Sequence, residues 1–149
     1  MFYFAYGSNM DSAEMVRDEK CPGALFAGTG YLINRRLVIN KKSQKWGSAA
    51  NIERSYGDTV YGVVYDITDE DEWKKLDKAE GGYNRINASV RMFPDRHIES
   101  AVTYEAAPEC NDSEGPTLKV YRDMLVKGAH EHDLPDEYVD FLESLAVLE

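Results

Sequence analysis

The hydrophobic pattern is clearest at residues 59–67, where apolar side chains occupy both faces of an extended chain. Val60 and Val64 alternate there with Tyr61, Val63 and Tyr65. A strand that is apolar on both faces is a buried one, so we place it near the centre of a sheet. Aromatic and branched residues predict further strands at 1–6, within 24–40, and at 47–52, 86–93 and 97–106, the last two joined as a hairpin through Pro94-Asp95-Arg96.

Two helices are predicted in the first half of the chain from their capping residues. Asp11, with Glu14 three positions later, resembles a cap with its box and predicts a short helix at 12–18. Thr68 and the four acids after it predict the start of a second helix, because negative charge in the first turn complements the helix dipole. The glycine pair at 81–82 is expected to end that helix.

Two more helices are predicted near the C-terminal end. The one after Pro116 is expected to stop at Gly128, and the last one covers about 135–147. The last helix is expected to bury Tyr138, Phe141, Leu142 and Leu145. Strands that interleave with helices in this way favour an α+β fold, with a mixed, barrel-like sheet and peripheral helices, over a doubly wound parallel sheet. Because no repeat or linker interrupts the chain, we expect a single domain over 1–149.

Charge narrows the range of partners. The net charge is −10, from 17 basic and 27 acidic residues, whereas a nucleic acid or an anionic membrane requires a basic stripe. We therefore expect a small-molecule substrate, with no nucleic acid and no membrane as partner. The N-terminal segment lacks the pattern of a signal peptide, and only two cysteines occur, so we expect a cytoplasmic protein.

Two segments carry the candidate chemistry. A predicted strand runs directly into Tyr6-Gly7-Ser8-Asn9-Met10, and such a sharp bend can direct several backbone N–H groups to one point, as in an anion-binding pocket. The second segment holds Glu80, in the last turn of a predicted helix and towards its apolar face. The helix dipole disfavours a negative charge there, which raises the proton affinity of a carboxylate and suits it to act as a base.

Several segments, in the same order along nearly the whole chain, resemble the γ-glutamylcyclotransferases, which belong to one superfamily with the AIG2-like proteins. The segments are Phe4-Ala5-Tyr6-Gly7-Ser8-Asn9-Met10, Tyr56-Gly57-Asp58 with Val60-Tyr61-Gly62-Val63-Val64-Tyr65, Leu76-Asp77-Lys78-Ala79-Glu80-Gly81, Tyr121 with Gly128-Ala129, and Leu134-Pro135-Asp136-Glu137-Tyr138. The resemblance implies a mixed β-barrel, no metal or other cofactor, and conversion of a γ-glutamyl amide to 5-oxoproline and a free amine. Family members are sometimes homodimers.

The resemblance also implies the site residues. The catalytic acid corresponds to Glu80, and a late tyrosine that contacts the substrate corresponds to Tyr121. The substrate-binding stretch corresponds to Tyr3, Phe4, Ala5, Tyr6, Gly7 and Ser8, to which we add Asn9 because it completes the bend. Tyr121 also shares a helical stripe with Leu118 and Leu125, so plain core packing is the alternative for this residue.

The reaction itself explains why so few groups are needed. The α-amino group of the substrate attacks its own γ-carbonyl carbon, so the enzyme supplies no nucleophile. Well-oriented intramolecular reactions reach effective molarities of about 10⁵ to 10⁸ M. One carboxylate can take the proton from the attacking nitrogen and return it to the leaving nitrogen, and the bend can hold the α-carboxylate or the developing oxyanion.

Alternative functions remain at this point. Ser8-Asn9 favours γ-glutamyl amino acids as substrates, whereas relatives with other residues after Tyr-Gly act on γ-glutamylamines or on glutathione. The same site also suits a γ-glutamylamine cyclotransferase or a deacylase of a biosynthetic pathway. A non-catalytic module that binds small molecules, with Glu80 as a polar wall, is a third possibility.

Other chemistry-bearing residues receive simpler interpretations. His130-Glu131-His132-Asp133 is interpreted as a solvated loop, Cys21 as a core residue and Cys110 as a loop thiol. The acidic segment 129–149 is interpreted as a solvated helix face, and the roles of Tyr83 and Arg85 are left open. The one basic concentration is interpreted as a solvated strand edge, formed by Arg35, Arg36, Lys41, Lys42 and Lys45.

Overall fold

A computed structural model describes residues 1–148, and its central feature is a closed five-stranded barrel. Neighbouring strands are antiparallel, except that the first and fifth are parallel, so the sheet is mixed. In the barrel order β1-β3-β2-β4-β5, the strands are β1 (Phe2–Ala5), β3 (Gly47–Asp66), β2 (Leu25–Ser43), β4 (Tyr83–Met92) and β5 (Ile98–Ala106). The predicted α+β class with a barrel-like sheet is confirmed.

The long hairpin of β2 and β3 merges strands that the sequence predicts as separate. The pairing passes from Ile33 opposite Thr59 to Arg35 opposite Arg54, so the chain bulges at 55–58 and then continues. Gly57 adopts a positive φ of 87°, and its N–H donates to the side-chain oxygen of Asn34 at 3.0 Å. The turn residues at 56–58 therefore form a bulge within one strand and do not end it.

Within residues 1–148, four α-helices pack outside the barrel. They are α1 (Ser12–Met15), α2 (Glu70–Ala79), α3 (Lys119–Glu131) and α4 (Asp136–Glu143). Asp11 caps α1 as predicted, since its carboxylate accepts the N–H of Ala13. The cap of α2 is Asp69, whose carboxylate accepts the N–H of Asp71 at 2.8 Å, so the helix begins one residue later than a Thr68 cap implies.

The predicted helix stop at Gly128 is wrong. Gly128 is a buried residue inside α3, and a Cβ atom there would lie 2.5 Å from the carbonyl carbon of Met10. This glycine permits close contact between α3 and the N-terminal segment and does not end the helix. As a result, His130 and Glu131 are helical, which corrects the interpretation of residues 130–133 as a solvated loop.

His132 departs from that loop interpretation as well. Its ring stacks on Phe26 at 4.8 Å between centroids, and its Nε2 lies 2.9 Å from the hydroxyl oxygen of Ser12. The side chain is only 9% exposed, so it ties the end of α3 to α1.

The last predicted helix is too long. It ends at Glu143, and β7 (Val147–Leu148) then pairs in parallel with β6 (Thr117–Leu118). Tyr138, Val139 and Leu142 are the buried side chains of α4, whereas Phe141 is 40% exposed. The prediction that Phe141 is buried is therefore wrong, because the buried stripe runs through Val139.

Gly62, in β3, allows β1 to pack closely within the barrel. A Cβ atom at Gly62 would lie 2.5 Å from the carbonyl oxygen of Ala5 and 2.6 Å from the ring of Phe4. The close contact seats β1 in the core and thereby sets the position of the bend that follows it.

None of the helices within 1–148 has both the length and the apolar character that crossing a bilayer requires.

Candidate active site

The bend after β1 is a short 3₁₀ turn at Ser8–Met10. The N–H of Met10 donates to the carbonyl of Gly7 at 3.0 Å, which closes the turn. The hydroxyl of Tyr65, on β3, donates to the carbonyl of Asn9 at 2.8 Å. The neighbouring strand thus holds the bend in place, and the first N–H groups of the turn have no partner within it, as at any helix start.

Glu80 lies at the C-terminal end of α2, and its side chain turns towards this bend. Its backbone N–H donates to the carbonyl of Leu76 at 2.9 Å, so the residue completes the last turn of the helix. The side-chain amide of Asn9 donates to Oε1 of Glu80 at 3.0 Å. The bend and the carboxylate are therefore in direct contact, although 71 positions separate them in the chain.

The orientation of the Asn9 amide follows from its partners. Its oxygen accepts from Nζ of Lys20 at 2.6 Å, so its nitrogen must face the other way. That nitrogen donates one hydrogen to Glu80 and the other to the hydroxyl oxygen of Tyr3 at 3.1 Å. Lys20 also pairs with Glu14 at 3.0 Å, which fixes the ammonium group. Asn9 is only 3% exposed, so the amide at the centre of this network is shielded from water.

Two adjoining cavities meet at Glu80. The inner cavity has a volume of about 30 Å³ and the outer cavity one of about 290 Å³. Ser8, Glu80, Tyr83 and Tyr121 line both. The inner cavity is otherwise lined by Tyr3, Tyr6, Gly7, Asn9, Ala50 and Tyr104. The carboxylate therefore stands at the junction between a small polar chamber and a larger opening.

Burial raises the pKa of the Glu80 carboxyl above its ordinary value. The positive charges of Lys20 and Lys41, and hydrogen bonds from Tyr3 and Asn9, oppose this effect without cancelling it. The direction is the one that the sequence predicts from the position at the helix end. A carboxyl with a raised pKa exchanges protons more readily near neutral pH than an ordinary glutamate does.

The tyrosines around the inner cavity remain protonated. Burial raises the pKa values of Tyr3, Tyr6, Tyr83 and Tyr121 above the ordinary value for tyrosine. The hydroxyl of Tyr83 donates to the carbonyl of Ala50 at 2.5 Å, and the hydroxyl oxygen of Tyr121 accepts the N–H of the same residue at 3.0 Å. The chamber is thus lined by neutral hydroxyl groups of fixed orientation.

Most of the site residues expected from the sequence meet here. Seven of them line the two cavities: Tyr3, Tyr6, Gly7, Ser8, Asn9, Glu80 and Tyr121. Phe4 and Ala5 do not, because their side chains are fully buried in the core. Of the two residues left open, Tyr83 lines both cavities, whereas Arg85 pairs with Asp77 at 2.7 Å and covers the ring of Trp73.

The sequence did not identify the lysines near the tip of the β2–β3 hairpin as residues of a cavity. Lys41 is only partly exposed and lines the outer cavity, so its interpretation as part of a solvated strand edge is wrong, whereas Lys42 and Lys45 are exposed as expected. Lys45 also borders the outer cavity, from the turn that follows β2. A period of two was the available signal for Lys41: residues 41 and 43 lie on the same face at the end of β2, and both line the outer cavity. Lys20 and Trp46 are two further lining residues that the sequence did not single out.

Residues 59–142 match the sequence model of the AIG2-like family, and the chain belongs to that family. A γ-glutamylcyclotransferase from Mus musculus is 28% identical over 148 residues, which cover 96% of this chain and 77% of the relative. One from Bos taurus is 29% identical over the same shares of both chains. The predicted resemblance to γ-glutamylcyclotransferases is thus confirmed in the sequences.

The fold agrees with this relationship. A solved structure of a γ-glutamyl cyclotransferase superposes with a TM-score of 0.90 at 27% identity. The superposition covers 99% of this chain and 89% of that one. The chain therefore shares both its family and its full architecture with named enzymes of this type.

Proposed function

We propose that this protein cyclises γ-glutamyl amides, with γ-glutamyl amino acids as the preferred class, to 5-oxoproline and the free amine. The observation that carries the proposal is the contact between Asn9 and Glu80, which joins the bend to the one carboxylate at the junction of the two cavities. Relatives named γ-glutamylcyclotransferase, similar over 96% of this chain, support the same reaction.

The inner cavity suits one end of such a substrate. With a volume of about 30 Å³ it admits a group of about the size of a carboxylate, while the rest of the substrate occupies the outer cavity. Backbone N–H groups at the Gly7-Ser8 bend, and the neutral hydroxyl of Tyr121, are the donors available to the substrate α-carboxylate or to the developing oxyanion. Binding of the glutamyl part there folds its amino group towards its own γ-carbonyl carbon.

In the reaction, the α-amino nitrogen forms a bond to the γ-carbonyl carbon, and the original amide bond breaks. Glu80, ionised at the start, takes the proton that the α-nitrogen loses. It then gives this proton to the departing nitrogen, so the carboxylate is regenerated and no water is consumed. Such a positioned acid and base contributes roughly 10² to 10⁴ in rate, beyond the gain from folding the substrate correctly.

The network around Glu80 supports this role. Asn9 holds one carboxyl oxygen, and burial raises the pKa of the group, which strengthens the carboxylate as the acceptor of the proton from the α-nitrogen. An ordinary solvated glutamate with a pKa of about 4.3 is a weaker base near neutral pH, so it takes a proton from the α-nitrogen less readily.

The proposal is tested with a panel of γ-glutamyl amides and detection of 5-oxoproline. We expect release from γ-glutamyl amino acids by the wild type, and loss of most turnover in Glu80→Gln with binding of γ-glutamyl ligands retained. Faster release from γ-glutamylamines would favour the amine-directed alternative. Undiminished turnover in Glu80→Gln would reject this residue as the proton carrier, and binding without turnover in the wild type would indicate a binding module.

A further inference from the structure

The outer cavity contains two lysines without acidic partners. Among residues 1–148, neither Lys41 nor Lys45 forms an ion pair, although both line this cavity. Within that part of the chain, two ammonium groups without an ion pair therefore line the same cavity.

The other basic side chains of the same cavity are paired with acids of the protein. Arg17 pairs with Glu14 and Glu19, and Lys20 pairs with Glu14. Glu80, the remaining acid in the lining, is held by Asn9. With Glu80 ionised, the lining carries four bases, Arg17, Lys20, Lys41 and Lys45, and three acids, Glu14, Glu19 and Glu80, so its net charge is +1. The two lysines of the hairpin tip supply this positive excess.

Lys41 lies against the segment that carries Glu80. Its Nζ is 4.9 Å from the centroid of the Tyr83 ring, and a Cβ atom at Gly82 would be 3.1 Å from this nitrogen. Tyr83 lines both cavities, so the ammonium group lies on the outer side of the junction. Its charge also lowers the pKa of Glu80, which is consistent with a short separation.

Lys45 occupies the turn between β2 and β3. Its Nζ lies 4.6 Å from the centroid of the Trp46 ring, and that ring packs against Tyr121 at 5.2 Å. Aromatic contacts rather than acids therefore position both lysines, which leaves their N–H donors available to a ligand.

We propose that Lys41, assisted by Lys45, binds a carboxylate on the departing amine and so selects γ-glutamyl amides of amino acids over those of neutral or cationic amines. This inference rests on the proposed function. When the glutamyl end occupies the inner cavity and the scissile amide lies beside Glu80, the leaving group must occupy the outer cavity. The carboxylate of an α-amino acid is separated from the amide nitrogen by a single carbon atom, so it enters the region where these ammonium groups lie.

The test compares three substrates of nearly equal size: γ-glutamylglycine, its C-terminal amide, and the γ-glutamyl derivative of ethylenediamine. We expect the wild type to favour the carboxylate over the amide by about 10- to 100-fold in kcat/KM, the range for a hydrogen bond to a charged group. The cationic amine should be the poorest substrate. Equal kcat/KM for the carboxylate and the amide would overturn the inference.

Lys41→Met should reduce this preference severalfold, mainly through a higher KM for γ-glutamylglycine. Loss of its charge also acts on Glu80, but that effect is common to all three substrates, so the ratio of kcat/KM values isolates recognition of the carboxylate. Lys45→Met should reduce the ratio less. Lys41→Glu should shift the preference towards the cationic amine.

Lys42→Met is the matched control, because it removes one lysine from the adjacent exposed position of β2. We expect it to leave the preference unchanged, and a preference that is also unchanged in Lys41→Met and Lys45→Met would contradict the inference. Absence of 5-oxoproline from all three substrates would contradict the proposed function itself, whereas equal release from all three contradicts only the role of the lysines.

Discussion

The two ends of α2 hold glutamates that the protein treats in opposite ways. Glu72 lies in the first turn, is only 8% exposed, and accepts the N–H of Gly23 on its two carboxyl oxygens at 2.9 and 3.1 Å. Glu80 follows the last turn and borders two cavities. The glutamate at one end of the helix thus supports the scaffold, and the glutamate at the other end belongs to the candidate site.

The helix itself accounts for much of the difference. Its dipole stabilises a negative charge at the N-terminal end and disfavours one at the C-terminal end. Glu72 also receives a backbone donor, whereas Glu80 depends on the amide of Asn9 and on nearby lysines, and burial raises its pKa. A carboxylate at the C-terminal end of a helix is thus more easily protonated, and this is the property that proton transfer requires.

The largest expected effect comes from Glu80→Gln. Its kcat for 5-oxoproline release should fall by about 10² to 10⁴, because the proton carrier is lost. The amide oxygen of glutamine still accepts from Asn9, so the thermal unfolding midpoint should not decrease. Steady-state kinetics and calorimetry on the same preparation check both expectations. If Glu80→Gln were destabilised but kept normal turnover, Glu80 would act as a scaffold residue, which would contradict this account.

Glu72→Ala should show the opposite signature. Removal of the carboxylate leaves the N–H of Gly23 without its acceptor, which costs about 1 to 3 kcal/mol in the free energy of unfolding. The kcat of the folded fraction should stay close to that of the wild type. Urea denaturation monitored by tryptophan fluorescence, with kinetics at low denaturant, separates the two quantities. Unchanged stability would show that Glu72 does not anchor the 21–24 segment.

A pH profile sharpens the comparison further. Glu80 must be ionised to accept the first proton, so kcat/KM should fall as the pH drops through its raised pKa. Lys20 lowers that pKa by its charge, and Lys20→Met should therefore move the acidic limb to higher pH. Lys74→Met, at an exposed position of α2, is the control and should leave the limb in place. A shift to lower pH in Lys20→Met would be inconsistent with this electrostatic effect.

The smallest expected effect concerns stability. The pKa of Glu80 is higher in the folded than in the unfolded chain, so the folded state binds more protons between the two pKa values. The contribution of this group to the free energy of unfolding therefore decreases as the pH rises through that window. Glu80→Gln lacks this loss, so its stability relative to the wild type should increase from acidic to neutral pH. A difference independent of pH would argue against a raised pKa.

The sequence identified both segments that meet in the candidate site, the bend after β1 and the helix end that carries Glu80. The bend at Gly7-Ser8 followed from a strand interrupted by turn residues, and Glu80 from its place in a last helical turn together with the family resemblance. The barrel followed from the interleaved strands and from the resemblance. The bend and the helix end depend on local chain geometry, which neighbouring residues largely determine.

Features that depend on distant packing were not predicted. Gly128 resembles a helix stop in the sequence, but it is kept small by contact with Met10 on another segment. Lys41 looked solvated because the sequence does not reveal which face of β2 borders a cavity. Phe4 and Ala5 carried the family motif, yet their role is to seat β1 in the core.

The most direct test of the account is a pH titration of the Glu80 carboxyl itself. In protein labelled with ¹³C at glutamate carboxyls, the Glu80 resonance is identified as the one missing from Glu80→Gln. We predict a midpoint above the ordinary glutamate value of about 4.3, and a further increase in Lys20→Met. A midpoint at or below the ordinary value would contradict the claim that this fold holds Glu80 ready to exchange a proton.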